Sequence, residues 1–588
     1  MLPGISNREI RSRAISEPDD DSPWACSDVL KKIFLARNIT NSDEIEYPLS
    51  RLLTPSLFRG GEEATQIVVN ALMQSESILI LGDYDADGAT ATALGLLALR
   101  KMGAQRISYL VPNRFDFGYG LSPGIAKVAI EKKPNLVITV DNGISSVEGV
   151  QCLKDAGIKV IVTDHHLAGE RLPNADAILN PNQPDCEFSS KCLAGVGVMF
   201  YLLLMVRAYL KKQGWFQLNN LSVPNFADYL DLVALGTVAD VVPLDYNNRI
   251  LVSQGIARIR LGKCRPGIAA LLEVGKKDYV NAVSSDFGFV VAPRLNAAGR
   301  LEDISKGIEC LLAEDEEIAR QYAAELDRIN IERKEIELEM QTQALEIVKK
   351  VLSSRDSDKD KNDKESGFCL FDTDWHQGIT GLVASRVKDK TGQPVIAFAR
   401  TPDGQLTGSA RSVPGLHFKD LLEDIATKEP DLIEKFGGHA MAAGLTIELQ
   451  NLDAFRRLFY QRVAAHFKLN GSETLLLTDG ALEVANLSLQ TAQDIRDGAP
   501  WGQGFPEPLF EGVFLVTNIR LLGGQHLKFS LLSESSEQSI DAIAFRAVDS
   551  SMICPNLNKI KVVYQLDVND FRGRKSMQLI IKHIESLD

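Results

Sequence analysis

The sequence predicts a multidomain α/β protein: a parallel-sheet domain, a long connecting helix, a second α/β domain and a C-terminal OB-like β-barrel. Three observations carry this. From Ser77 to about Leu244, short apolar runs alternate with helix-length segments. Between Ala313 and Leu352 there is neither Gly nor Pro. From Gly471 onward, short alternating runs are separated by polar turns.

Taken in order, residues 1–45 read as an N-terminal segment and 46–312 as the parallel-sheet domain. The runs SILILGD, RISYLVPN, NLVITVDNG and KVIVTDHH are continuous and rich in Ile and Val, as strands covered on both faces must be. Residues 313–352 are dense in Glu, Lys, Arg, Leu and Ile and predict one helix of about 40 residues, ~60 Å long, able to act as a strut. The stretch SSRDSDKDKNDKESG, 353–367, has no apolar residue and is expected to be a mobile loop. A second α/β domain is expected over 368–470. The runs GVFLVTNIRLL, LKFSLL, SIDAIAF, KVVYQLDV and SMQLIIKHI then supply barrel strands within 471–588.

A chain of 588 residues implies about three or four domains, each with its own core. Hydrophobic residues at 45% and charged residues at 24% exclude general disorder. The formal net charge of -14 argues against a protein that coats nucleic acid through overall basicity. It leaves room for a local basic groove and for a metal site that concentrates carboxylates. Met1 to Trp24 is polar and acidic without an apolar h-region, and the most apolar stretch, Tyr201–Leu210, is too short for a bilayer and contains Arg207. A cytoplasmic protein is expected. Its eight cysteines show no C-x-x-C spacing and read as reduced thiols; Cys186 and Cys192 are the nearest pair.

The chemistry is concentrated where apolar runs end. Gly82-Asp83-Tyr84-Asp85-Ala86-Asp87-Gly88 follows SILIL at the start of a helix, and ligands of open parallel sheets bind outside the carboxyl ends of strands. Three carboxylates at alternate positions repel one another when buried unless cations neutralise them. A solvated acidic turn is the plainer reading, and an EF-hand loop is excluded by the missing acid at its twelfth position. Two further runs end alike, at Asp141-Asn142-Gly143 and at Asp164-His165-His166, and the buried run Asp231 to Asp240 also finishes in an acid. A lone Asp in such a place is often only an N-cap, but repeated convergence points to coordination. About five carboxylates with one or two imidazoles suit two adjacent divalent cations, Mn²⁺ best and Mg²⁺ next. Such a pair clamps a phosphate for in-line attack, so the predicted chemistry is phosphoester hydrolysis. No G-x-S-x-G or Walker A sequence supports acyl transfer or nucleotide-driven work.

GDYDADG, TVDNG, TDHH and LGTVADVVPL resemble, in this order, motifs I to IV of the DHH phosphoesterases. The similarity continues through PNRFDFGYGL (112–121), LAGVGV (193–198), APRLNAAGRL (292–301), WHQGITGLVASR (375–386), GSARS (408–412), KFGGHAMAAGL (435–445), PWGQGFPEPLF (500–510) and NDFRGRKSMQLII (569–581). The resemblance implies that Asp85 and Asp141 hold one cation, supported by Asp83. Asp87, Asp141, His165 and Asp240 would hold the other. Asp141, Asp164 and His166 are the implied catalytic residues, with His166 touching the scissile phosphate or orienting a ligand. One departure is Leu81, which stands where many members carry a His.

Arg294, Asn296 and Arg300 are candidate phosphate partners, since guanidinium forks bind phosphate oxygens bidentately. The alternative for the arginines is a salt bridge near the long helix. In family terms residues 368–470 form the DHH-associated domain, where Arg411, Gly437, Gly438 and His439 are the candidate strand-gripping residues; for His439 a packed, hydrogen-bonded role is the alternative. Phe115, Tyr119, Trp375 and Trp501 are candidates for stacking on bases, against the commoner role of aromatics in cores. Arg572, Arg574 and Lys575 offer a further single-strand surface on the barrel.

The activity that the resemblance implies is a single-stranded-DNA-specific 5′-to-3′ exonuclease releasing 5′-mononucleotides with two Mn²⁺ or Mg²⁺ ions, in DNA repair and recombination, including mismatch repair. The implied substrate is single-stranded DNA with a free 5′ end, and the implied partners are a helicase and single-strand binding protein. Two alternatives stand beside it: another DHH-family phosphodiesterase acting on short oligonucleotides or cyclic dinucleotides, and an inactive replication-fork scaffold.

Overall fold

The computed structural model describes residues 9–19, 22–112, 120–357, 367–470, 475–524, 526–534, 538–545, 557–571 and 573–587. Phe115, Tyr119, Arg572 and most of the expected 353–367 loop lie outside these. The chain divides into two compact units: Ile15–Asn330 with Gln490–Glu507, and Met1–Ala14 with Ile331–Leu489 and Pro508–Asp588. Accordingly the first described strand, β1 (Glu9–Ser12), belongs with the second unit.

The Ile15–Asn330 unit is built on five parallel strands: β2 (Ile78–Leu81), β3 (Ile107–Leu110), β4 (Leu136–Val140), β5 (Lys159–Thr163) and β6 (Ala177–Leu179), in the order β3-β2-β4-β5-β6. β2 and β4 are buried at every residue, which explains their unbroken apolar sequence. The helix Ala86–Lys101 lies between layers and is buried on nearly all sides; its Ala and Gly residues let it approach the sheet, where a Cβ on Gly95 would come within 2.6 Å of Ile80. The apolar stretch Tyr201–Leu210 falls within the helix Gly195–Lys212, whose N-terminal half is wholly buried. Among the described residues no helix is long and apolar enough to cross a membrane.

Two corrections to the expected organisation follow from packing. Gln490–Glu507 joins the Ile15–Asn330 unit and not the barrel, because Trp501 stacks between Phe34 and Phe505 at ring separations of 6.0 and 5.2 Å. The long helix runs over Glu316–Ser357, 42 residues, continuing past Leu352 into the expected loop. Polar residues without Gly or Pro cost a helix little per position, so composition alone did not mark its end.

In the other unit, β7 (Phe368–Phe371), β8 (Val395–Arg400), β9 (Leu406–Arg411), β10 (Lys435–Gly438) and β11 (Ala442–Ile447) form a sheet ordered β10-β11-β9-β8-β7. β7 and β8 are parallel and the rest antiparallel. Phe398, Phe418, Phe455 and Phe459 anchor its core. β12 (Leu475–Thr478) pairs in parallel with β1, from Glu9 opposite Leu475 to Ser12 opposite Thr478. β13 (Phe510–Leu522), β14 (His526–Ser533), β15 (Ser539–Ala544), β16 (Lys559–Phe571) and β17 (Arg574–Ser586) close into a barrel ordered β13-β14-β15-β17-β16, the OB-like arrangement.

Candidate metal centre

The carboxyl ends of β2, β4 and β5 lie at one edge of the parallel sheet, and each delivers an acid there. After β2, Asp85 caps the helix Ala86–Lys101: its Oδ1 accepts from the amides of Asp87 at 2.9 Å and Gly88 at 3.0 Å. After β4, Asp141 turns left-handed, with φ of 62°, while its amide donates to Thr163 O at 3.0 Å. A non-glycine residue held there marks a site where position outranks backbone comfort. Ligand atoms of Asp83, Asp85 and Asp141 all lie within 4.8 Å of one another.

A second group with the same spacing joins Asp87, His165 and Asp240, and a third joins Asp141, His165 and His166. His165 links them, its Nε2 3.1 Å from Asp141 Oδ1 and 3.4 Å from Asp240 Oδ2. Asp240 arrives on the C-terminal end of a helix, Leu230–Ala239, whereas the other segments end strands. Asp87 is fixed by the first amides of the helix Gly195–Lys212: Gly195 N donates to Oδ2 at 2.6 Å and Val196 N to Oδ1 at 2.9 Å. Helix N-termini favour anions in this way.

Asp164 sits behind this cluster. Its Oδ1 accepts from the amides of His165 at 2.7 Å and His166 at 3.1 Å and pairs with His166 Nδ1 at 2.7 Å, and Oδ2 accepts from Ile144 N at 2.9 Å. Fully buried and engaged, Asp164 is placed to orient His166.

Electrostatics separate the two kinds of carboxylate. Burial, then the neighbouring Asp85, pushes Asp87 up to about 7 despite its two amide bonds. Burial also raises Asp141 and Asp240 well above the usual range, reinforced in both by Asp87 and Asp85. Asp164 is buried too, but its bond and charge interaction with His166 outweigh desolvation and hold it low. His166 is correspondingly raised: burial opposes its charge, and Asp164 more than compensates. Carboxylates that suppress one another's ionisation need added positive charge, and this oxygen-rich set with one or two imidazoles fits two hard-to-borderline divalent cations.

The remaining candidates divide. Asn296 supports the motif loop, its Oδ1 accepting from Ala86 N at 2.8 Å. Arg294 is buried in a salt bridge to Asp327 at 2.8 Å and donates to Val290 O at 2.6 Å, so its fork serves the fold, in place of the expected phosphate contact. Its partner stands in the long helix, so for Arg294 the salt-bridge alternative is the one the structure carries. Arg300 is half-buried at the end of the helix Ala292–Leu301.

In the second unit Arg411 donates to Ser385 Oγ at 3.2 Å and Ala410 O at 2.8 Å. Gly437, Gly438 and His439 are exposed at the end of β10, and Gly438 has φ of 142° with Ala443 too close for any side chain. Trp375 and Trp501 are buried, donating through Nε1 to Gln343 at 2.8 Å and to Ile495 O at 2.7 Å, so neither is a base-stacking surface. Leu81 is buried at the end of β2.

Four contributors were not singled out from sequence. Asn142 Nδ2 ties the end of β4 to Leu81 O at 3.2 Å. Asn180 and Asn182 hold the backbone carbonyls of His166 and His165 at 2.8 and 2.6 Å. Gly195 leaves room for Asp141. The only sequence signal was the Asn-Pro-Asn after β6 and the glycines of LAGVGV.

Three family models match the chain: the DHH family N-terminal domain over residues 77–237, the DHHA1 domain over 364–465 and the RecJ OB domain over 478–583. The chain is 47% identical to the single-stranded-DNA-specific exonuclease RecJ of Escherichia coli, over 98% of this chain and 99% of that protein. It is equally 47% identical to the RecJ of Haemophilus influenzae, over 95% of this chain and 96% of that protein. Among solved structures, RecJ from Thermus thermophilus in complex with Mn²⁺ superposes with a TM-score of 0.78 at 27% identity, covering 99% of this chain and 80% of that one.

Proposed function

This chain belongs to the RecJ family of DHH phosphoesterases, and from that premise we propose that it degrades single-stranded DNA from a free 5′ end, releasing 5′-mononucleotides. The protein is a metal-dependent exonuclease specific for single-stranded DNA, and its cations are Mn²⁺ or Mg²⁺. In this reading Asp83, Asp85 and Asp141 hold one ion, and Asp87, Asp141, His165 and Asp240 hold the other. When bound, the pair neutralises the buried acids, draws charge from the phosphodiester and lowers the pKa of the attacking water. His166, whose pKa Asp164 raises, faces the phosphate and offers a proton or hydrogen bond as negative charge develops. Arg411, with Gly437, Gly438 and His439, contacts the strand in the DHH-associated domain, and Arg300 lies on the catalytic side. The physiological setting proposed is the cytoplasm, in DNA repair and recombination, with a helicase and single-strand binding protein presenting the strand.

The observation that supports this most is the sharing of Asp141 and His165 among three ligand groups supplied by four separate segments of chain. The test is digestion of 5′-labelled single-stranded, double-stranded and dinucleotide substrates with Mn²⁺ or Mg²⁺, beside Asp141→Ala. Mononucleotides from the single strand alone, and none with the variant, are expected. Preference for dinucleotides would favour a short-oligonucleotide phosphodiesterase; equal activity of the variant would exclude the metal mechanism.

A further inference from the structure

Three apolar side chains are exposed on segments that carry, or pack against, residues of the acidic centre. Leu167 directly follows His166 and is 62% exposed, Val241 directly follows Asp240 and is 61% exposed, and Phe289 is 83% exposed. Single exposed apolar residues are ordinary on protein surfaces, so exposure alone decides nothing. The backbone that presents two of them does. Val241 has φ of 61°, a left-handed conformation that a β-branched residue adopts only under strain. Phe289 is the central residue of a five-residue π-helix, Phe287–Val291, that leads into the helix Ala292–Leu301. Such turns recur at functional sites, because the extra residue re-aims a side chain. Here Phe287 and Val291 are buried while Phe289 points to solvent.

The two irregular segments adjoin, since a Cβ on Gly288 would lie 3.6 Å from Val238 Cγ1, in the last turn before Asp240. The helix that follows the π-turn carries Asn296, which holds the amide of Ala86 in the first acidic motif. Both segments are therefore anchored to the cluster.

We propose that Phe289, with Val241 and Leu167, forms the seat for an unpaired nucleobase of the strand whose phosphate lies at the acidic cluster. This rests on single-stranded DNA being the substrate, as proposed above. Every base offers a π-face to an aromatic ring, so the seat grips without reading sequence, and a paired base, stacked within a duplex, presents no such face. A protein partner fits less well. Three side chains bury far less than the ~1,000 Å² of a stable interface.

The test measures binding of a single-stranded oligonucleotide carrying 2-aminopurine near its 5′ end, with Ca²⁺ replacing Mn²⁺. Phe289→Ala is expected to weaken binding about 10-fold, in the range of one stacked base, and to abolish the change in 2-aminopurine fluorescence. Phe289→Trp should restore both. With the same oligonucleotide stripped of its 5′-terminal bases, wild type and Phe289→Ala should bind alike. Equal weakening on intact and abasic strands, or no weakening on either, would overturn the base seat. Cleavage in Mn²⁺ is read separately. Base-dependent binding without cleavage would sink the exonuclease reading and leave the seat standing, whereas no binding by wild type would sink both.

Discussion

The amide of Gly195 donates to Asp87 while its missing side chain makes space for Asp141: a Cβ at Gly195 would fall 2.6 Å from Asp141 Cβ. One residue thereby sets the positions of two acids. Gly195→Ala should destabilise the protein by about 1–3 kcal/mol through overpacking and weaken Mn²⁺ binding about 10–100-fold. Calorimetric titration with Mn²⁺, beside a thermal melt, measures both. Unchanged affinity would mean that the acids relax around the methyl group.

Asp164→Asn should separate orientation from coordination. The amide keeps one acceptor oxygen for the His165 and His166 amides, turns an NH2 toward Ile144 N, and removes the charge that raises the pKa of His166. A kcat lower by about 100-fold or more is expected, with Mn²⁺ affinity within a few-fold of wild type. A large loss of Mn²⁺ binding would instead move Asp164 into the ligand set.

Metal removal should make stability fall as pH rises. Asp87, Asp141 and Asp240 have folded-state pKa values raised by burial and by neighbouring acids, Asp87 to about 7. Below the unfolded value of about 3.9 both states carry the proton and the associated stability is complete. As pH climbs from there through the folded values, the unfolded chain releases its protons first and that stability is lost. In EDTA the melting temperature should decline between about pH 5 and pH 8, and saturating Mn²⁺ should flatten the decline by favouring the ionised acids. Melting curves across this range, with and without EDTA, test it; a flat profile in EDTA contradicts it.

Trp501→Ala should cost about 3–5 kcal/mol, as expected for an emptied core position, because Trp501 fills an aromatic stack with Phe34 and Phe505. At temperatures well below the lowered melting point, kcat/KM on single-stranded DNA should match wild type. A specific rise in KM would return this residue to the DNA-binding surface.

Legibility followed the range of the interactions. β2, β4 and β5 were visible as runs of Ile and Val because burial on both faces writes itself into consecutive residues, and the acids at their ends were visible because strand polarity fixes where they emerge. Asp240 could be picked out by the run before it, though that run is a helix. Asp164 looked like its neighbours in sequence and differs in being taken up by His166 and by the amides of Ile144, His165 and His166. Arg294 was ambiguous because its partner, Asp327, is contributed by another helix, and Trp501 because Phe34 lies hundreds of residues earlier. Asn180, Asn182 and Gly195 matter only through residues brought to them by folding, so the Asn-Pro-Asn and the glycines of LAGVGV mark their positions without disclosing their roles.

The parallel pairing of β1 with β12 sets a schedule for biosynthesis. Glu9 leaves the ribosome on the order of a minute before Leu475, its partner in the ladder. During that interval the nascent strand has no native neighbour and must be kept from pairing elsewhere. A chain that stops short of residue 475 leaves it permanently so.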